Sequence, residues 1–309
     1  MTFAFVFPGQ GSQSVGMMNG FADIAVVKQT FVEASDLLKL DLWKLAQEGP
    51  AELQNQTVNT QPLMLTAGVA VYRAWKNLGG ADPAFVAGHS LGEYSALVAA
   101  GALSLHGALR LVVARAEAMQ HAVPEGQGAM AAILGLDDDV VRAVCAEAAQ
   151  GQVIEAVNLN SPGQVVIAGN KAAVERGLEV AKAKGAKIAK ILPVSVPSHC
   201  ALMKPAAEKL AVLLKQTTIH APAFPVLHNV DVNSHADADA IRGALVKQLY
   251  SPVRWSDTIR AIAQHKVTQI AECGPGKVLA GLNKRIDNTL QSFAFTDAAA
   301  LGTALSELK

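Results

Sequence analysis

An excess of charge of either sign is missing from this chain. Lys and Arg total 26 and Asp and Glu total 26, so the formal net charge is zero and no global field favours nucleic acid or an anionic membrane surface. Charged residues make up 17% of the 309 and hydrophobic ones 51%, a balance that excludes a solvated, disordered chain and leaves material for a large core. Cysteine is scarce. Cys145, Cys200 and Cys273 are odd in number and far apart, which suits a reducing compartment, argues against a disulfide framework and gives no metal-knuckle spacing. No metal is expected. Long apolar runs at the start are also absent: MTFAFVFPGQG has no basic residue ahead of an apolar run that stops at Pro8 after about five residues, too short for a secretory leader or a membrane span. The expectation is a soluble, cytoplasmic protein with no membrane or nucleic-acid partner. Nucleotide fingerprints are missing too, since neither GQGSQ after residue 7 nor GPGK at 274–277 completes GxGxxG or GxxxxGK[ST].

What is present is alternation of short apolar strands with helical patterns. Residues 3–7 read as a buried strand, 62–75 as a helix with Pro62 in its first turn, 85–87 as a strand, and 91–100 and 105–123 as helices. Between 126 and 196 the texture changes to strand 129–136, helix 137–150, strand 153–159, a turn at Asn160-Ser161-Pro162-Gly163, strand 164–169, helix 171–184 and strand 187–194. That order, β-α-β-β-α-β, is the ferredoxin-like split βαβ unit. We read residues 126–196 as a small inserted subdomain and residues 1–125 with 197–309 as one large α/β catalytic domain. In the large domain a helix at 201–215, a strand at 225–230, a helix at 237–249 and a strand at 268–276 continue the alternation, which implies a mostly parallel sheet covered on both faces. Loops after 7, 87, 230 and 272 should then meet along one sheet edge.

The sharpest motif is AFVAGHSLGEY at 84–94, where a strand runs into Gly88-His89-Ser90-Leu91-Gly92 and a helix follows. This is the nucleophile-elbow pattern in its required context, with flanking glycines that let the backbone turn tightly. An ordinary βα turn whose serine caps the helix has the same residues. A serine nucleophile needs a base. His89 precedes Ser90 and should point away from it as a support, while His106, His121 and His265 sit on helical patterns as surface or packing residues. His199, in the polar loop Ser195-Val-Pro-Ser-His-Cys where the insert ends, is the leading candidate, with His228 the alternative. Cys200 competes as nucleophile but lacks an elbow. Oxyanion donors would be the Leu91 N–H and an N–H of the loop Gly9-Gln10-Gly11.

Taken together, FVFPGQGSQ, GHSLGEYSAL, ARAEAM, NSPGQVVIAG, PVSVPSHCALM and ECGPGKVL occur in one order from end to end, and on them the chain resembles the bacterial malonyl-CoA:acyl carrier protein transacylases, in the acyltransferase family of fatty-acid and polyketide synthesis. The resemblance implies a hydrolase-like parallel-sheet domain with a ferredoxin-like insert. It also implies malonyl transfer, with Ser90 as nucleophile, His199 as base, Gln10 and Leu91 as oxyanion hole, Gln248 orienting the histidine through its carbonyl, and Arg115 binding the substrate carboxylate. Asn160, Met119 and Ser198 are further pocket candidates. No permanently bound cofactor is implied. Malonyl-CoA is the coenzyme A thioester substrate, holo acyl carrier protein with its phosphopantetheine the partner, and a monomer the expected state. Lys187, Lys190, Arg254 and Lys277 are candidates for docking that acidic carrier. Ala116 departs from the glycine that many relatives have after the arginine. The competing readings are a serine esterase or thioesterase with the same elbow and a non-catalytic carrier-protein scaffold.

Overall fold

The computed structural model describes residues 2–194 and 196–308; Met1, Lys309 and Ser195, which opens the His199 loop, lie outside the described residues. Its strands in chain order are β1 (Phe3–Phe7), β2 (Phe85–Gly88), β3 (Gly128–Leu134), β4 (Ile154–Ser161), β5 (Gln164–Asn170), β6 (Ile188–Ile191), β7 (Val226–Leu227), β8 (Gln269–Glu272) and β9 (Gln291–Ala294).

Every residue of β1 is buried, which only a strand covered on both faces can achieve. Its alternate side chains go to different cores: Phe3, Phe5 and Phe7 join the cluster containing Trp75 and Leu63 of the helix Thr57–Asn77, and Ala4 and Val6 join Trp255, Ile259 and Ile262 of the helix Trp255–Gln264. The resulting five-stranded sheet runs β7-β2-β1-β8-β9, all pairs parallel. Register matters for function. Phe7 pairs with Gly88 and Val6 with Glu272, so β1, β2 and β8 end level and their loops leave from one edge.

The second sheet, β4-β5-β3-β6, is antiparallel and is made from residues 128–191. With the helices Asp138–Ala149 and Lys171–Ala183 it forms the ferredoxin-like unit, so the fold is a hydrolase-like α/β sheet with a ferredoxin-like insert. One face of this sheet packs on its own helices through Ile133, Val144, Ile167 and Val174. The other packs Met130, Val157 and Val166 against Cys200, just beyond His199. A short ladder ties the units together: Leu159 N–H donates to the Val253 carbonyl at 3.0 Å and Val253 N–H to the Val157 carbonyl at 2.8 Å.

Four local differences from the sequence reading have physical causes. Pro62 is not in a first turn: the helix starts at Thr57, because Asn59 and Thr60 N–H groups bond back to the Gln56 carbonyl and the polar run TVNTQ hides the start from any apolar periodicity. Thr57, Thr60 and Gln61 are buried all the same. β7 spans two residues where six were expected, because His228 already turns to pair its N–H with the Asn233 carbonyl. β4 runs on through Ser161, deep into the turn signal, by a bulged register with β5. Beyond residue 250 the apolar pattern points only to the strand ending at 276, and the structure adds the helices Trp255–Gln264, Val278–Ile286 and Ala298–Glu307 with β9. The last helix carries a plain signal, Asp297 accepting from Ala300 N–H as its cap.

The helix Gly92–Ala99 lies against the end of β1 so closely that a Cβ at Gly92 would overlap the Phe7 carbonyl. Gly243, inside the helix Ala238–Gln248, faces open space. Gly92→Ala should therefore lower stability by about 1–3 kcal/mol or more, because backbone cannot yield as a side chain can. Gly243→Ala should raise it by up to about 1 kcal/mol from helix propensity alone. Urea midpoints at unchanged slope check both, and equal midpoints for the two variants would contradict the packing described.

Candidate active site

β2 ends at Gly88 and the helix begins at Gly92, leaving His89, Ser90 and Leu91 to reverse the chain. Ser90 sits at φ 51°, in the left-handed region that a residue with a Cβ seldom occupies. Two features hold it there. A Cβ at Gly88 would overlap the Gly92 backbone, so the turn closes only around glycine. Asn229 then clamps both sides: Ser90 N–H donates to its Oδ1 at 2.7 Å, and its Nδ2 donates to the Gly88 carbonyl at 2.7 Å. The strained turn thrusts Ser90 Oγ out of the sheet edge, as a nucleophile elbow does.

His199 meets it there. Its Nε2 lies 2.7 Å from Ser90 Oγ, and its Nδ1 donates to the Gln248 carbonyl at 2.7 Å. Gln248 is the last residue of its helix, so its carbonyl has no intrahelical partner and is available to the imidazole. That acceptor fixes the proton on Nδ1 and leaves the Nε2 lone pair to take the serine proton. His199 is itself left-handed, at φ 66°. Burial pushes its pKa from 6.5 down to about 3, the Arg115 charge and His89 adding to the shift and the Gln248 carbonyl opposing it.

Arg115, from the helix Leu105–Gln120, is 1% exposed. It donates through Nη1 to Gln61 Oε1 at 2.8 Å and through Nη2 to Gln248 Oε1 at 3.0 Å and Ser90 Oγ at 3.1 Å. All its acceptors are neutral. Its Nε has no partner, and among the described residues no carboxylate lies within ion-pair distance. A guanidinium buried this way is costly to the fold unless an anion shares the space, and burial accordingly pulls its pKa down. The arrangement can activate a hydroxyl and hold a small anion beside it.

A cavity of about 700 Å³ opens over these groups. Gln10, Leu91, Met119 and Ser198 line it with Ser90, Arg115 and His199, and Met130, Asn158 and Leu192 close it from the ferredoxin-like unit. Among the described residues neither the Gln10 nor the Leu91 N–H has a protein acceptor, so both are open to an oxyanion. Gln10 is steadied by its side chain: Thr57 Oγ donates to Gln10 Oε1 at 2.9 Å, and Gln61 Nε2 donates to Thr57 Oγ at 3.2 Å, so a bonded chain links Gln10 to Arg115. Asn160 is not on the cavity wall; its Oδ1 accepts from His89 Nε2 at 2.8 Å. His89 is thus a buttress between the two units. No group of three or more His, Cys, Asp or Glu among the described residues could hold a metal, and none of their helices is long and apolar enough to cross a membrane.

The competing candidates are placed elsewhere. His228 points to Glu93, its Nδ1 2.8 Å from Oε1, and not to Ser90. The Cys200 thiol donates to the Pro197 carbonyl at 3.1 Å, with burial raising its pKa to about 12, so it is no nucleophile at neutral pH. His106 meets Glu33, His121 bonds its own helix at the Glu117 carbonyl, and His265 packs on Phe85. Sequence reasoning missed Thr57, Gln61, Glu93 and Asn229. Only Glu93 left a signal, as a carboxylate inside the otherwise apolar run after the elbow.

Residues 4–303 match the acyl transferase domain family. The chain is 58% identical over 304 residues to the malonyl CoA-acyl carrier protein transacylase of Escherichia coli strain K12, covering 98% of each. It superposes with a TM-score of 0.98 on the acyl-carrier-protein S-malonyltransferase of Burkholderia pseudomallei 1710b, at 59% identity over 99% of this chain and 100% of that one. A malonyl-transacylase solved in complex with a type II PKS acyl-carrier protein is 56% identical and superposes with a TM-score of 0.98, over 99% of this chain and 100% of that one. Since these matches take in both sheets and every residue around the cavity, the chain belongs to the acyl transferase family, among the bacterial malonyl-CoA:acyl carrier protein transacylases.

Proposed function

We propose that this enzyme transfers the malonyl group of malonyl-CoA to the pantetheine thiol of holo acyl carrier protein, in the cytoplasm, through a malonyl ester on Ser90. The observation that carries the reading is a serine hydroxyl shared between His199 Nε2 and a buried guanidinium without a carboxylate of its own. An acyl group on Ser90 Oγ that bore a carboxylate two carbons along would bring it to that guanidinium, whose planar fork can bind both oxygens.

In the first half-reaction the Ser90 proton passes to His199 Nε2 as Oγ bonds the thioester carbon. The resulting oxyanion accepts from the Gln10 and Leu91 N–H groups. The C–S bond then breaks and the coenzyme A sulfur takes the proton from His199. In the second half-reaction the carrier's pantetheine thiol gives its proton to His199 and attacks the ester, and Oγ leaves and recovers that proton. The relative solved with an acyl-carrier protein supports the choice of acceptor. Lys187, just before β6, and Lys190, within it, are exposed, and the chain continues into Leu192 and Val194 on the cavity wall, which favours them for the acidic carrier. Arg254 is already paired with Asp257 at 2.9 Å and is the weaker candidate; Lys277 is exposed after β8.

Intact-mass analysis after addition of malonyl-CoA should show a malonyl adduct, mapped to Ser90 and discharged by holo carrier protein. Rapid discharge to water without carrier would instead indicate a thioesterase. Arg115→Ala should lower kcat/KM for malonyl-CoA about 10- to 100-fold, the worth of a charge-assisted pair. Acetyl-CoA should hold or gain, and an unchanged malonyl-to-acetyl ratio would remove Arg115 from substrate recognition.

The low pKa of His199 sets the pH dependence. Because its folded value, about 3, lies below the ordinary 6.5, the base stays unprotonated throughout the neutral range. The unfolded chain binds this proton first as pH falls, so the group's contribution to stability is full above 6.5 and lost between 6.5 and about 3. Single-turnover acylation should therefore keep its rate as pH drops through 6.5, with its acid limb lower down. A limb centred on 6.5 would show an unperturbed, solvated histidine.

A further inference from the structure

Glu93 and Glu272 are the carboxylates that are fully buried among the described residues. Glu272 serves the helix that follows it, accepting from Ala280 N–H at 2.8 Å. Glu93 serves the elbow. It lies in the first turn of the helix Gly92–Ala99, where Oε1 accepts from His228 Nδ1 at 2.8 Å and Oε2 from Asn229 N–H and Gln248 Nε2, both at 3.0 Å. All the partners are donors, the set that a carboxylate accepts from.

These bonds reach both halves of the proposed dyad. Asn229, held at its N–H, is the residue whose side chain clamps Ser90 and Gly88. Gln248 is held more tightly still. Its amide nitrogen sits between the Glu93 carboxylate and the Ser90 carbonyl at 2.9 Å, which forces its oxygen toward Arg115 Nη2 at 3.0 Å. A flipped amide would set oxygen against two acceptors and NH₂ against a guanidinium. Glu93, Gln248 and Arg115 thus form a directed chain, and the main-chain carbonyl of the same Gln248 holds His199 Nδ1.

Acylation requires His199 to become an imidazolium. Its Nδ1 faces a neutral carbonyl where a Ser-His-Asp site has a carboxylate, and the Arg115 charge beside it opposes the change. The buried negative charge that can offset Arg115 is Glu93, one amide away. We propose that Glu93 is a positioning residue that takes the part of the missing triad acid at one remove, orienting Gln248 and countering the charge of Arg115 so that His199 can accept the Ser90 proton. The inference rests on the malonyl-transfer reading above.

Glu93→Gln tests it with little change of shape. The new carbonyl oxygen can accept from Asn229 N–H and Gln248 Nε2, and the new NH₂ can face His228 Nδ1 in its other tautomer, so the bonds survive and the charge does not. The acylation kcat should fall roughly 10- to 100-fold, less than the ~10⁴-fold seen when a carboxylate in direct contact with the histidine is neutralised. KM for malonyl-CoA should hold or fall, since Arg115 keeps its charge and loses its internal counter-ion. A merely structural role would lower the melting temperature without that split. Glu93→Asp, which keeps the charge at shorter reach, should retain more kcat than Glu93→Gln, and this order stands as the test should the glutamine variant fold poorly. Wild-type kcat in folded Glu93→Gln or the reverse order of the two variants would each overturn the proposal. A wild-type protein that forms no malonyl-Ser90 would instead overturn the reaction itself.

Discussion

Everything at the active edge depends on a serine held at φ 51°. Backbone in that region costs of order 1–3 kcal/mol for a residue with a side chain, and it persists only where the surroundings over-determine it. Here they do so by contact and by bonding. Gly88 and Gly92 let backbone touch backbone, and Asn229 grips the chain on either side of Ser90. The strand register brings β1 level with β2, so the Gln10 loop can lie against the elbow and offer its N–H where the Leu91 N–H already points. Relaxing the turn would move the hydroxyl, the oxyanion donors and the helix start together.

The electrostatics of the site follow from burying two groups that prefer water. Arg115 cannot shed its charge and is given only neutral acceptors, so it stays a cation in search of an anion. Burial, with that same cation, keeps His199 unprotonated, so its Nε2 lone pair is free to take a proton although it is a weaker base for it. The two effects agree until the hydroxyl attacks in the proposed reaction, when an imidazolium must form beside the guanidinium. A substrate carboxylate on Arg115 would relieve this conflict at the step where it arises, which links recognition of a malonyl group to its chemistry.

The parallel sheet, the ferredoxin-like unit and the elbow were legible because each rests on local patterning: apolar runs of strand length, a β-α-β-β-α-β order, and glycines spaced around one serine. Arg115 and Gln248 were not legible in that sense. Their roles came from the family resemblance, since a helix bearing Arg110, Arg115 and Glu117 reads equally well as a solvated face. Asn229 and Glu93 escaped both routes because their partners lie more than a hundred residues away in the chain. Buried polar residues of this kind are determined by tertiary pairing: Glu93 stands out locally only as a carboxylate in an apolar run, and nothing near Asn229 reports its role. The start of the helix at Thr57 escaped for a related reason: its first turns are polar residues that face a cavity, so the hydrophobic period begins only after them.

The ferredoxin-like insert has a physical role beyond adding residues. A parallel sheet alone presents its active edge to solvent, and an acyl-serine there would be exposed to water. β3, β4 and the chain after β6 place Met130, Asn158 and Leu192 across the cavity from Ser90, largely apolar cover over a reactive ester. The ladder between Leu159 and Val253 and the bond between His89 and Asn160 hold that cover to the large sheet close to the elbow itself. Asn160 therefore contributes by fixing the insert in place while its neighbour Asn158 faces the cavity. Transfer between two thiols needs an ester that outlasts the departure of the first and the arrival of the second. A half-enclosed pocket built between two sheets and pinned beside Ser90 would give an ester there that lifetime while leaving one side open to a carrier's arm.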